Sequence, residues 1–209
     1  MNNRKFKRLA IIPAKGKSIR IKNKNIKLFF NKPIINYTID AAKKSKLFYK
    51  IHVSTDSEKI KKIVEKKGIK VEFKRPKKLS SNKAPLINVY KYIVKEFKKK
   101  GYIFDEVWAL MPCSPLINYK DLIKISLFSK KSKTKIPILS TSKYRVPIQW
   151  SYKMQLNKVL KPINHKYHNI RSQDLPLRYY ETGQFVIYPS KYLDNLKNKS
   201  KKVDFLGYV

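Results

Sequence analysis

A chain of 209 residues with 42% hydrophobic and 12% aromatic content is long enough to bury a sizeable core, which excludes an intrinsically disordered protein. A single cysteine, Cys113, excludes an intramolecular disulfide and a cysteine-based zinc site, and fits a reducing, cytoplasmic setting. Fifty Lys and Arg against 13 Asp and Glu give a formal net charge of +37, a field that favours polyanions such as nucleic acid, anionic headgroups or phosphorylated small molecules.

Along the chain, strand and helix patterns alternate. "RLAIIPA" (8–14) is a continuous apolar run ending in a turn, the pattern of a buried parallel strand. "PIINYTIDAAKKSKLF" (33–48) has apolar residues at helical spacing, with Pro33 suited to the first turn. "KIHVSTD" (50–56) is a second strand. "SEKIKKIVEKKG" (57–68) is an amphipathic helix with Ser57 as N-cap and Gly68 as its stop. "IKVEFK" (69–74) reads as a third strand, 85–101 as a helix ended by Gly101, and 105–111 as a strand. A helix over 119–131 and a strand over 135–142 complete the alternation, which predicts a doubly wound, mostly parallel α/β sheet.

After residue 142 the pattern turns aromatic and irregular, and residues 143–180 read as a hairpin-like arm protruding from the sheet. "GQFVIYPSKYLDNL" (183–196) returns to a strand and a short helix. No repeat or linker interrupts the chain, so 1–209 reads as one domain carrying that arm.

The lysines are dispersed ("AAKKSK", "KIKKIVEKKGIK", "KEFKKKG", "FSKKSKTK", "LKNKSKK") and mark solvated faces and a general lysine bias more than one patch. That dispersal, with no RNA- or DNA-binding signature, weighs against a nucleic-acid-binding module. "MNNRKFKRLAII" is too short in apolar residues for a signal peptide, and no run approaches the ~18 apolar residues of a membrane span.

In open α/β sheets, ligands bind beyond the carboxyl ends of the strands. Four polar segments fall there: the 13–25 loop, "STDSE", "RPKKLSSNK" and "PCSPLIN". In the first, Gly16 lets the backbone approach a ligand, and Lys15, Arg20 and Lys24 can neutralise a triphosphate. It is neither a Walker A loop nor a dinucleotide fingerprint. Taken alone it reads either as a phosphate-gripping turn or as a solvated basic loop. Asp56 can contact the site or cap the following helix, and Cys113 reads as a small buried residue. His165 and His168 have near-helical spacing but no accompanying carboxylates or cysteines, which argues against a metal site.

The ordered set of "IIPAKGKSIRIKNKNIKLFFNKPIINYTIDAA", "VSTDSEKI", "FKRPKKLS", "PCSPL" and "NIRSQDLPLRYYETGQFVIY" resembles the nonulosonic acid cytidylyltransferases. "RSQDLP" followed by "TGQF" looks like the pseudaminic acid branch more than the sialic acid branch. The resemblance spans residues 8 to about 190 and implies a nucleotide-diphospho-sugar transferase fold. The implied reaction couples CTP with a nine-carbon sugar acid, giving a CMP-sugar and pyrophosphate for surface glycans. It implies that Lys15, Gly16, Ser18, Arg20, Lys24, Asn25 and Arg75 bind CTP. Arg171, Gln173 and Gln184 would face the sugar acid, and Lys15, Lys24 and Arg171 would carry the chemistry. It also implies Mg²⁺, brought with CTP, and a homodimer formed through the arm.

The pattern departs from the family at several points. Lys15 stands where an arginine is usual, which keeps the charge and loses the bidentate fork. Asn82 and Lys83 follow "RP" where relatives carry an acid, and Met111 precedes "PCSPL" where sialic acid relatives offer an amide. Relatives continue to an acidic D-x-D motif that holds Mg²⁺, whereas this sequence ends at "VDFLGYV", with Asp204 the only carboxylate nearby. Two expectations stay open on these grounds: an active cytidylyltransferase, or a non-catalytic relic of the same fold.

Overall fold

The computed structural model describes residues 5–196 and 204–209; the lysines of the 197–202 stretch and the first four residues lie outside that range. The contacts divide the chain into two units, Met1–Leu139 with Gln184–Leu206, and Ser140–Gly183 with Gly207–Val209.

The first unit is organised on β1 (Arg8–Pro13), whose six residues are all buried. A small hairpin of β2 (Leu28–Phe29) and β3 (Lys32–Pro33) precedes α1 (Ile35–Ser45). Then follow β4 (Lys50–Ser54), α2 (Glu58–Glu65), the single turn α3 (Lys77–Ser80) and α4 (Leu86–Lys99). The chain continues through β5 (Glu106–Leu110), α5 (Tyr119–Ser132) and β6 (Ile138–Lys143). After the hairpin of β7 (Tyr152–Met154) and β8 (Leu160–Pro162) come β9 (Tyr179–Pro189), α6 (Ser190–Asn195) and β10 (Leu206–Tyr208).

Six strands bond in the order β10-β6-β9-β5-β1-β4. β1 lies between β4 and β5 and is parallel to both, with Ile11 opposite His52 and Ala109, whereas β9 runs antiparallel to β5. The mostly parallel α/β sheet expected from the alternation is therefore present, with an antiparallel β9.

Local chemistry accounts for the helix ends. Ser57 caps α2 by accepting from the Ile60 N–H, and Asn118 with Asp121 forms a capping box at the start of α5. Gly68 and Gly101, which follow α2 and α4, both sit at positive φ, where a side chain would strain the backbone. A core of Leu9, Ile11, Tyr90, Ile93, Phe97, Phe104, Val107 and Val186 fills the space between the sheet and α4.

One predicted element is absent: 69–74 forms no strand. Its alternation is satisfied by side chains in place of a ladder. Glu72 pairs with Lys50 and Lys100, and Phe73 packs edge-on against Phe97. The segment then rejoins the end of β4 through the Arg75 N–H, which donates to the Thr55 carbonyl (2.9 Å).

The second unit contains the expected hairpin and three short 3-10 turns at Ile148–Trp150, His165–Tyr167 and Ser172–Asp174. Buried Gln149 donates to the Pro176 carbonyl (2.8 Å), and Trp150 to that of Tyr167 (3.1 Å). Among the described residues, no helix is long and apolar enough to cross a membrane.

Candidate active site

At its carboxyl end β1 continues one residue along β4, with the Ala14 N–H donating to the Ser54 carbonyl (2.9 Å), and the chain then leaves the sheet as the 15–27 loop. The Lys15 carbonyl accepts from Asn25 Nδ2 (2.9 Å), and the Gly16 N–H donates to Asp56 Oδ1 (2.7 Å). Asn25 is only 2% exposed, in a 3-10 turn entered through Asn23 in the left-handed region (φ 54°). Glycine at 16 has a steric cause: a Cβ there would lie 2.7 Å from Ser57 Cβ and 3.2 Å from Ser57 Oγ.

The "PCSP" segment reaches the same loop. The Cys113 thiol donates to Asn25 Oδ1 (3.4 Å). Cys113 is an exposed residue, correcting the expectation of a buried one, because it lies in the turn where the chain leaves β5. Partial burial of its thiol pushes the pKa up, against the pull of Lys24, so the sulfur stays protonated.

The loop is rich in cations, and none is spent on an acid among the described residues. Lys15 Nζ donates to Asn82 Oδ1, a neutral acceptor that leaves the ammonium charge whole. Arg20 and Lys24 are exposed. Arg75, 4% exposed, donates from Nε to Ser54 Oγ (3.1 Å) and from Nη2 to the Ser54 carbonyl (2.8 Å). Burial lowers its pKa and the charge of Asp56 opposes that, while the guanidinium stays protonated. Among the described residues no carboxylate lies within ion-pair distance of Lys15, Arg20, Lys24 or Arg75. Ser18 Oγ is buried and has no hydrogen-bond partner among these residues. Unspent cations and an unused hydroxyl at the carboxyl end of a buried parallel strand suit a multiply charged anion.

Of the residues expected at the sugar acid, Gln184 lies in the first unit, where its carbonyl accepts from the Met111 N–H beside "PCSP" (2.9 Å). Arg171 and Gln173 belong to the second unit, in and beside an exposed 3-10 turn, where Arg171 Nε donates to Asp174 Oδ2 (2.8 Å). His168 Nδ1 is 3.0 Å from the Tyr152 hydroxyl. No group of three or more His, Cys, Asp or Glu able to hold a metal occurs among the described residues. Sequence reasoning missed the contacts of Asn82 and Cys113; the position of Asn82 where relatives carry an acid was the one available signal.

A mostly parallel sheet with a pinned, cation-lined loop at the carboxyl end of its buried strand β1 defines a nucleotide-handling α/β protein. A protein-family model described as Cytidylyltransferase matches residues 9–104. The chain is 33% identical to a pseudaminic acid cytidylyltransferase of Campylobacter jejuni, over 89% of its length and 80% of that protein's. It is 36% identical to a CMP-N,N'-diacetyllegionaminic acid synthase of Legionella pneumophila, over 51% of the chain and 46% of the relative. Among solved structures, CMP:2-keto-3-deoxy-manno-octonic acid synthetase complexed with CTP superposes with a TM-score of 0.66 at 16% identity, covering 90% of this chain and 76% of that one. The chain belongs to the nonulosonic acid cytidylyltransferase family.

Proposed function

We propose that this chain couples CTP to a nonulosonic acid, pseudaminic acid first among them, releasing pyrophosphate and forming a CMP-sugar for surface glycans in the cytoplasm. The observation that carries the reading is the 15–25 loop, whose Lys15, Arg20 and Lys24 have no acidic partner among the described residues, in a chain alignable over most of its length with a pseudaminic acid cytidylyltransferase.

In this reaction the anomeric hydroxyl attacks the α-phosphorus and pyrophosphate leaves in line. The work asked of the protein is neutralisation and positioning of charge. Lys15 and Lys24 hold the phosphates against their mutual repulsion, with Ser18 Oγ and Arg20 at hand for further oxygens. Buried Arg75 adds a fixed positive field at the carboxyl end of β4. Arg171 supplies a guanidinium for the sugar carboxylate, exchanging Asp174 for it. The nucleotide enters as its Mg²⁺ complex.

The second unit serves, on this reading, as the arm of a homodimer. In its support, Val146, Met154, Leu156, Ile163 and Leu177 are all exposed, Leu156 fully so. Light scattering should give twice the chain mass, and Leu156→Lys should lower it; a wild-type monomer at tens of micromolar overturns the dimer.

The deciding assay is pyrophosphate release from CTP and Mg²⁺ with pseudaminic, legionaminic and sialic acids offered separately. Release is expected with pseudaminic acid at the highest kcat/KM. Absence of release with every acid, together with calorimetric binding of CTP, would replace the reading with a nucleotide-binding relic.

A further inference from the structure

The Lys15–Gly16 peptide group has one C=O and one N–H, and both are committed to side chains far along the chain. Asn25 Nδ2 donates to its oxygen (2.9 Å), and its nitrogen donates to Asp56 Oδ1 (2.7 Å). A peptide group held at both ends cannot rotate about the flanking Cα atoms without breaking both bonds. We propose that Asp56 is a positioning residue that, with Asn25, clamps this peptide and so aims the Lys15 side chain; the role in catalysis rests on the nucleotide reading above.

Three observations single out Asp56. The capping duty expected at the start of α2 falls to its neighbour, since Ser57 Oγ accepts from the Ile60 N–H, and Thr55 Oγ1 accepts from the Ser57 N–H (3.1 Å). Asp56 is thereby left for a bond that spans 40 residues of sequence. The space around Gly16 is closed by Ser57 and Asp56 together, so the loop is seated as well as bonded. The same carboxylate is the acid whose charge reaches buried Arg75, which ties the loop to the end of β4.

One consequence separates this loop from glycine-rich phosphate loops, in which backbone N–H groups cradle the anion. Here the Gly16 N–H is already taken, so it cannot donate to a phosphate, and the clamped backbone sets the direction of the Lys15 side chain.

The test is residue-level amide exchange in the nucleotide-free protein, paired with calorimetric CTP titration. In the wild type the Gly16 amide should be protected, while those of Lys17 and Ser18, which have no acceptor among the described residues, exchange freely. Asp56→Ala should speed Gly16 exchange about tenfold or more, leave Ile11 unchanged, and weaken CTP about tenfold, since one charge-assisted hydrogen bond is lost. Asp56→Asn keeps an acceptor oxygen and should recover most of both. Unchanged Gly16 exchange in Asp56→Ala overturns the clamp. Asp56→Asn as damaging as Asp56→Ala overturns the positioning role in favour of the charge itself. If the wild type fails to bind CTP, the nucleotide reading falls, and the exchange data alone still decide the clamp.

Discussion

His52 gives the protein a calculable weakness to acid. The residue is 1% exposed on β4, packed between Phe73 and Phe97, and neither ring nitrogen has a hydrogen-bond partner among the described residues. Burial lowers its pKa from 6.5 to about 4; Glu72 pulls the other way, while Arg75, Lys50 and Lys100 reinforce the depression. The folded chain therefore keeps the imidazole neutral down to about pH 4, whereas the unfolded chain binds a proton below 6.5. His52 costs nothing by this route above pH 6.5, and stability falls as the pH drops from 6.5 towards 4. The gap between 6.5 and about 4, at about 1.4 kcal/mol per pH unit, amounts to about 3 kcal/mol, of which about 2 kcal/mol has gone by pH 5. Urea unfolding of wild type and His52→Leu at pH 7.5, 6, 5 and 4 isolates the effect, because the carboxylates are common to both proteins. The two stabilities should diverge in favour of His52→Leu as the pH falls, by about 2 kcal/mol between pH 7.5 and 5. Leucine also removes two unsatisfied buried nitrogens, so the variant should be no less stable at neutral pH. Parallel curves from pH 7.5 to 4 would show that the ring is hydrated or partnered in solution and refute the reasoning.

Two further outcomes follow from buried geometry. Gly16→Ala forces a movement of about 0.7 Å to bring its Cβ from 2.7 Å to an ordinary contact of about 3.4 Å with Ser57; it should cost about 1–3 kcal/mol in urea unfolding and about tenfold in CTP affinity. Glu106→Gln removes the carboxylate bonded to buried Arg8 (2.8 Å) and weakens bonds from Trp108 and Ser129; thermal and urea unfolding should show a loss of about 3 kcal/mol, with CTP affinity at the far end of the sheet changed little.

The parts of the fold legible in the sequence are those whose stability is local or purely apolar. β1 shows as an unbroken apolar run because both its neighbours bury it, and α2 shows through Ser57, Gly68 and its spacing, all within a dozen residues. Segment 69–74 has the alternation of a strand, but alternation reports two different faces and not the presence of a ladder partner. Glu72 and Phe73 found those faces in Lys50, Lys100 and Phe97. In the candidate site the cations of the 15–25 loop were legible by their position after an apolar run. The clamp was not, because a bond between Gly16 and Asp56 depends on the parallel register of β1 and β4, which no local pattern encodes. Arg75 shows the same limit. Its place in "KRP" carries no local sign of the Ser54 hydroxyl and carbonyl that its guanidinium meets across 21 residues of sequence.

The flanking of β1 on both sides has a further consequence for how the protein ages. The loop that carries Lys15 is rooted in a strand that is bonded on both sides, by β4 and by β5, and buried along its whole length. Local breathing that clips or frays peripheral segments leaves this root in place. Loss of nucleotide binding during storage or limited proteolysis should accordingly track global unfolding, with few long-lived species that are folded yet unable to bind.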